Sequence, residues 1–93
     1  MIYTINLPRT GSKNDIQNVI GDAIDNGLPG NLGDHTVVLN GTDTWYLTQD
    51  FFDGLVKSLK NTYHATAIAH ENLDLEAMDY LTKAMTKNDM IPL

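Results

Sequence analysis

The stretch that decides the fold is residues 37–52, which read Val-Val-Leu-Asn-Gly-Thr-Asp-Thr-Trp-Tyr-Leu-Thr-Gln-Asp-Phe-Phe. It starts inside a short apolar run, residues 35–39, which Asn40-Gly41 closes as a turn signal. Three consecutive aliphatic residues leave this strand without a polar face, so we expect both of its faces to be covered. Such strands are typical of the centre of a parallel sheet.

The second half of the stretch predicts the start of a helix. Thr48 is a residue type that caps helix N-termini, and Asp50 then lies in the first turn, where a negative charge is favoured. The helical spacing predicts a buried stripe of Phe51, Phe52, Leu55, Val56 and Leu59. Lys57 and Lys60 stand near the C-terminal end, where the helix dipole favours positive charge.

The N-terminal part of the chain predicts a strand followed by a helix. Residues 2–7 alternate with a period of two, which indicates a half-buried edge strand with one face formed by Tyr3, Ile5 and Leu7. The helical stripe that follows consists of Ile16, Val19, Ile20, Ala23 and Ile24. Either Ser12 or Asn14 suits its N-cap, and Asn26-Gly27 suits a left-handed C-cap.

The C-terminal part repeats this order. Residues 64–69 predict a strand in which Ala65, Ala67 and Ala69 share one face, and these small side chains would let a helix approach closely. Either Asn72 or Asp74 suits the cap of a third helix, whose predicted stripe is Leu75, Met78, Leu81 and Met85. We expect residues 88–93 to form a flexible tail.

These elements follow one another in the order β-α-β-α-β-α. Alternation of this kind predicts an α/β fold with right-handed crossovers, in which three or more mostly parallel strands carry helices packed on the sheet. A chain of 93 residues suits one domain, and we expect residues 1–93 to form it. The limited core of such a small domain is compatible with a homodimer.

Composition narrows the function classes. The chain has 12 Asp and Glu against 6 Lys and Arg, a formal charge of −6, and no cysteine. The acidic balance argues against direct binding of nucleic acid or an anionic membrane, which needs clustered basic residues. Without cysteine there is no disulfide, thiolate zinc site or cysteine nucleophile. We expect a cytoplasmic protein, because no apolar stretch approaches the roughly 20 residues of a membrane helix.

The residues that carry catalytic chemistry are few and scattered. Among the histidines, His70 is the best placed, since it adjoins Glu71 at the end of a predicted strand, but adjacent strand residues point to opposite faces. Metal-binding and phosphate-binding motifs are missing. We therefore predict a non-catalytic protein that needs no metal or cofactor.

The loop and helix start after the central strand are the best candidate for binding. The N-terminus of the helix presents free N–H groups that attract anions or a partner's carboxylate, although Thr48 could act only as a cap. Trp45 is the sole tryptophan and suits either the core or a binding hot spot. The predicted partner-binding residues are Asp43, Trp45, Thr48 and Gln49.

The same segment resembles the STAS domain superfamily, and in particular small bacterial STAS-like domains. Val38-Leu39-Asn40 is similar to the family's strand end, and Leu47-Thr48-Gln49-Asp50-Phe51 to its helix-start motif. The typical strand-end Asp is Asn40 here, and Gln49 stands where anti-sigma-factor antagonists carry their phosphoacceptor serine. The resemblance implies a regulatory module that binds a protein partner rather than an enzyme.

Two other functions compete with this one. The first is an acidic, phage-type inhibitor that mimics nucleic acid and binds a basic host-defence protein, which predicts one contiguous acidic patch and salt-sensitive binding. The second is a small enzyme that uses His70 and Glu71, which requires a concave pocket at that strand end.

Overall fold

The computed structural model describes residues 1–91 and, within them, five strands and three α-helices. The strands are β1 (Ile2–Asn6), β2 (Thr10–Gly11), β3 (Thr36–Asn40), β4 (Tyr46–Leu47) and β5 (Ala67–Glu71). The helices are α1 (Ile16–Asp25), α2 (Gln49–Asn61) and α3 (Leu75–Lys87), and one 3-10 turn, Lys13–Asp15, precedes α1. The β-α-β-α-β-α order predicted from the sequence is confirmed.

The main sheet contains three strands in the order β1-β3-β5, and both pairs are parallel. Leu39 in the central strand lies opposite Ile5 on one side and opposite His70 on the other. Each later strand of the main sheet is therefore added on the same side of the strand before it. Because crossovers between parallel strands are right-handed, two steps in the same direction place α1 and α2 on the same face.

Only that face of the sheet is buried. The side chains that the sheet contributes to the core lie on this face, and they are Ile5, Val37, Leu39 and Ile68. On the opposite face Thr4 is exposed and Val38 and Ala69 are only partly buried. The prediction that both faces of the central strand are covered is therefore wrong, and so is the close approach of a helix to Ala67 and Ala69. The small and polar side chains of this face tolerate water.

Helix α2 contributes the largest part of the core. Its predicted stripe is confirmed, since Phe51, Phe52, Leu55, Val56 and Leu59 each have 0% of their surface exposed. The two phenylalanine rings meet edge to face, with centroids 5.6 Å apart. These side chains join those of the sheet and of α3 in one hydrophobic cluster.

The first helix follows its prediction at its C-terminal end but not at its N-terminal end. The N-cap of α1 is Asp15, and neither Ser12 nor Asn14 caps it. Ser12 instead caps the preceding 3-10 turn, where its N–H donates to Asp15 Oδ2 over 2.9 Å. Gly27 adopts a φ of 102°, as the left-handed C-cap requires. The predicted stripe of α1 is buried at Ile16, Val19 and Ile20, but its C-terminal end reaches solvent, since Ile24 is 44% exposed.

The third helix differs from its prediction in the residues it buries. Asp74 is the cap, and its Oδ1 accepts a hydrogen bond of 2.8 Å from the Ala77 N–H. Leu75, predicted to be buried, is 81% exposed, whereas Ala77 and Ala84 lie in the core. Small side chains at these positions let α3 pack closely on α2.

Residues 88–90 pack against the domain, whereas Ile91 is 85% exposed, and the flexible tail over residues 88–93 stays a prediction. Met90 is 8% exposed, and its N–H donates to the Met85 carbonyl over 2.8 Å. The Lys60 ammonium donates to the Asn88 carbonyl. Positions 92 and 93 lie outside the described residues. No helix within residues 1–91 has the length and apolar character needed to cross a bilayer.

At Gly41 the backbone of a neighbouring segment leaves no room for a side chain. A Cβ there would lie 2.8 Å from the Asn72 carbonyl oxygen and 2.5 Å from Leu73 Cδ2. We predict that Gly41→Ala lowers the free energy of unfolding by about 2 kcal/mol, because the backbone of residue 72 must shift.

Urea unfolding monitored by circular dichroism measures this loss. Gly30→Ala is the matched control, since a Cβ at Gly30 meets nothing within 4 Å. Equal stability of the two variants would contradict the close approach at Gly41.

Candidate partner-binding surface

The three strands of the main sheet end in a network of side-chain amides. Asn40 Nδ2 donates to Asn6 Oδ1 over 2.9 Å, which joins the ends of β3 and β1. Asn72 follows β5, and its Nδ2 donates to Asn40 Oδ1 over 3.0 Å. Thr42 donates its hydroxyl to the same oxygen over 2.7 Å. The network satisfies these polar groups and fixes the start of the loop that leads to β4.

The loop before α2 is attached to the segment after β1 by backbone hydrogen bonds. Trp45 N–H and Tyr46 N–H both donate to the Arg9 carbonyl, over 2.7 and 3.1 Å. Thr48 N–H donates to the Gly11 carbonyl over 3.1 Å. These bonds belong to the short parallel pair β2–β4, which the sequence did not predict. The pairing leaves the side chains of Trp45 and Tyr46 free to face water.

Both aromatic side chains are exposed to an unusual degree. Trp45 is 72% exposed and Tyr46 is 54% exposed. The guanidinium carbon of Arg9 lies 4.6 Å from the centre of the Trp45 ring, within the range of a cation–π interaction. Trp45 is therefore not a core residue, and the binding hot spot that the sequence left open as its other role stays a prediction.

A cleft separates these aromatic residues from the first turns of α3. Its inner part is a cavity of about 90 Å³, lined by residues 44–47 together with Asp74, Glu76, Ala77 and Tyr80. A neighbouring cavity of about 180 Å³ shares Thr44, Asp74 and Ala77 and extends to Gly41 and Asn72. Below, the name β4–α3 cleft refers to the cavity of about 90 Å³ together with its lining residues.

The relative position of the two helices produces this cleft. Gln49, the first residue of α2, donates its amide to the Tyr80 carbonyl over 2.8 Å, while Lys60 reaches Asn88. The helices therefore run in the same direction, and α3 begins five residues before Tyr80, which is about 7.5 Å of helix. This overhanging start forms one wall, and the loop before α2 forms the other.

Glu76 and Tyr80 are paired within the cleft. The Tyr80 hydroxyl donates to Glu76 Oε1 over 2.9 Å. This hydrogen bond to a carboxylate, with smaller effects of partial burial and of neighbouring charges, raises the pKa of Tyr80 above its usual 10.0.

The four predicted partner-binding residues fall into two groups. Asp43 and Trp45 are exposed in the loop. Thr48 instead caps α2, since its hydroxyl oxygen accepts a 3.2 Å hydrogen bond from the Phe51 N–H and its hydroxyl donates to Asp50. Gln49 joins α2 to α3 through its bond to the Tyr80 carbonyl. Tyr46, Glu76 and Tyr80 were missed. Tyr46 adjoins Trp45 in the sequence, whereas only the tertiary contact of α3 with the loop places Glu76 and Tyr80 beside it.

Charge is distributed unevenly along α2 and α3. Five carboxylates follow the strand ends or open these helices, and they are Asp43, Asp50, Glu71, Asp74 and Glu76. The lysines lie toward the opposite ends of α2 and α3, at Lys57, Lys60, Lys83 and Lys87, an end that also carries Asp22, Asp25, Asp34 and Asp89. Among residues 1–91 the ion pairs are Lys83–Asp79 and Lys87–Asp53, each at 2.9 Å, so none involves those five carboxylates. The exposed aromatic residues stand at the end of the five carboxylates, where Arg9 and Lys13 also lie.

The histidines do not come together. His35 stacks edge to face on Tyr3, with ring centroids 5.1 Å apart, and His64 occupies a turn with a φ of 60°. His70 and Glu71 point to opposite faces of β5, because they are adjacent in a strand. Within residues 1–91 no group of three or more His, Asp or Glu side chains is arranged to hold a metal ion.

No model of a known protein family matches this chain, and neither a curated protein nor a solved structure matches it. The resemblance of residues 38–51 to STAS domains therefore stays a prediction.

The Thr48 hydroxyl is expected to stabilise the fold. Thr48→Ala removes the hydrogen bond to the Phe51 N–H, and we predict a loss of about 1 kcal/mol in the free energy of unfolding. Thr48→Ser keeps the hydroxyl and should retain most of that stability. Urea unfolding of both variants measures the difference, and equal stability of the alanine and serine variants would exclude the capping role.

The Glu76–Tyr80 pair is expected to control the titration of Tyr80. Glu76→Ala removes the hydrogen-bond acceptor and its charge, so the pKa of Tyr80 should fall toward 10.0, whereas Glu71→Ala should leave it unchanged. Chemical shifts of ¹³C-labelled tyrosine rings, followed against pH, measure the pKa of each tyrosine separately.

Because the folded protein holds the Tyr80 hydroxyl proton more tightly than the unfolded chain, the contribution of the Glu76–Tyr80 pair to stability is present below pH 10 and is lost as pH rises through the raised pKa. A larger fall in the pKa of Tyr80 in the Glu71→Ala variant than in the Glu76→Ala variant would contradict the pairing.

Proposed function

We propose that this chain is a non-catalytic protein-interaction module of the cytoplasm that binds a protein partner through Trp45, Tyr46 and Arg9. The observation that carries the proposal is the 72% exposure of the sole tryptophan on a loop whose backbone is hydrogen-bonded in place. Tryptophan, tyrosine and arginine are the residue types enriched in binding hot spots. Here all three lie side by side.

The energetics favour binding at this surface. An indole that leaves water on binding gains free energy in proportion to its apolar area, at roughly 25 cal/mol per Å². The hydrogen bonds of residues 45 and 46 to Arg9 hold the loop before any partner arrives. A preorganised surface loses less conformational entropy on binding than a mobile one.

The arrangement of polar side chains supports binding over catalysis. His70 and Glu71, the pair on which an enzyme hypothesis rested, point to opposite faces of β5. The amides of Asn6, Asn40 and Asn72 bond to one another or to Thr42.

The proposal revises the roles of the four residues predicted from the sequence. Trp45 is the centre of the interface and Asp43 lies in the same loop. Thr48 and Gln49 stabilise the start of α2 next to this interface, since Thr48 caps α2 and Gln49 donates a hydrogen bond to α3. The STAS-like resemblance implies the same segment as a binding surface.

A second candidate is the acidic inhibitor that mimics nucleic acid. The five carboxylates that lie around the starts of α2 and α3 without an ion-pair partner within residues 1–91 favour it, because they can attract a basic protein. The two candidates differ in what dominates affinity. An interaction module depends on the Trp45 ring, whereas a mimic depends on the sum of the carboxylates and should lose affinity steeply with salt.

Site-specific photo-crosslinking tests the proposal. We predict that p-benzoylphenylalanine at position 46 yields a discrete crosslinked protein in the cells that express this chain, and that Trp45→Ala in the same background removes the product. The matched control is the crosslinker at position 24, since Ile24 is another exposed apolar residue, 44% exposed, on α1.

The outcome separates the alternatives. Persistence of the product in the Trp45→Ala background, or the same product from position 24, would contradict a Trp45-centred interface. A product that survives Trp45→Ala but disappears at high salt would favour the acidic inhibitor.

A further inference from the structure

We infer that the β4–α3 cleft receives an arginine side chain of the partner. The inference rests on the proposed function, because it assigns the chemistry of the group that inserts beside Trp45. It is carried by the lining of the cavity, by its size and by the charge of the end of the molecule on which it opens.

The lining combines aromatic rings with carboxylates. Trp45, Tyr46 and Tyr80 contribute the rings, and Asp74 and Glu76 contribute the charges. Each carboxylate has one oxygen engaged, Asp74 Oδ1 with the Ala77 N–H and Glu76 Oε1 with the Tyr80 hydroxyl. Their second oxygens make no hydrogen bond within residues 1–91 and remain available as acceptors.

The size of the cavity selects a side-chain group. Its volume of about 90 Å³ is well below the roughly 300 Å³ at which pockets for free small molecules begin. A headgroup on a partner's side chain does not need a pocket that encloses a whole molecule. The partner's main chain can then run along the open side of the cleft, beside the exposed Leu75.

A guanidinium fits this lining better than an ammonium. It is planar, it stacks on aromatic faces, and its fork of N–H donors can bond to two acceptors together. The molecule already shows this preference once, because the Arg9 guanidinium lies 4.6 Å from the centre of the Trp45 ring. Arg9 does not line the cavity, so it leaves the cleft side of Trp45 free.

The surrounding charge supports a cationic occupant. The cleft opens at the end where Asp43, Asp50 and Glu71 add to its own two carboxylates, and these five outnumber the two basic residues of that end, Arg9 and Lys13. The lysines of α2 and α3 lie at the far end. Such a field attracts a basic segment and repels an acidic one, with a range of about 8 Å at physiological salt.

Titration with three peptides tests the inference, using the fluorescence of Trp45, the only tryptophan in the chain. The probes are hexa-arginine, hexa-lysine and hexa-citrulline, the last being a neutral analogue of arginine. We predict saturable quenching by hexa-arginine, at least fivefold weaker binding of hexa-lysine, and no binding of hexa-citrulline. Equal binding of hexa-lysine, or binding of hexa-citrulline, would overturn the guanidinium assignment.

A matched pair of variants locates the site. Glu71 and Glu76 are the only glutamates in the chain, both are exposed, and only Glu76 lines the cleft. Glu76→Gln keeps an acceptor for Tyr80 and removes one charge, and it should weaken hexa-arginine binding at least fivefold. Glu71→Gln removes the same charge and should weaken it less than twofold. Equal effects would mean that the peptide responds to net charge alone, which overturns the cleft assignment.

The two proposals fail separately. If crosslinking at position 46 depends on Trp45 but hexa-arginine leaves the fluorescence unchanged, the interface stands and the arginine assignment is wrong. If crosslinking is independent of Trp45, the interface itself is wrong, whatever the peptides do.

Discussion

The complete burial of one face of α2 is the constraint on which the other features depend. Five large side chains, Phe51, Phe52, Leu55, Val56 and Leu59, have no exposed surface. At about 1.5–3 kcal/mol for each fully buried side chain, they contribute on the order of 10 kcal/mol, which is comparable to the net stability of a whole small domain. A helix held this tightly cannot rotate or slide, and its first residue is therefore fixed in space.

The position of the exposed aromatic residues follows from the fixed start of α2. The chain reaches that start from β3 through a loop that pairs with residues 9–11, and this pairing occupies the backbone of Trp45 and Tyr46. The indole then faces water, near Arg9 and near the overhanging first turns of α3. Parallel strands and the helices that follow them place every helix start at the same edge. Acidic residues that suit helix N-termini therefore accumulate around the same aromatic pair.

Local signals in the sequence predicted many of the secondary-structure elements and their buried residues. Tertiary packing determines the features that were not predicted. The α2 stripe and the Thr48 cap were predictable because spacing and capping chemistry act within a few residues. The uncovered face of the sheet was not predictable from Val38, because it depends on the direction in which successive strands add. Leu75 was placed in the core for its apolarity, yet close packing of α3 on α2 selects Ala77 and Ala84. The β2–β4 pair has two residues in each strand and leaves no periodic signal.

The same distinction applies to the candidate site. The sequence identified the loop after the central strand and the tryptophan within it, but it gave Thr48 and Gln49 a binding role. The capping geometry of Thr48 and the bond from Gln49 to the Tyr80 carbonyl assign both side chains to the support of the surface. The cleft residues of α3 come from a distant part of the chain, and only the fold brings them to Trp45.

Folding holds the sole tryptophan on the surface instead of burying it. Acrylamide quenching of tryptophan fluorescence, compared between the folded protein and the protein unfolded in urea, measures this exposure. We predict that the fluorescence of the folded protein is quenched nearly as efficiently as that of the unfolded chain. Strong protection of the indole in the folded protein would instead place Trp45 in the core.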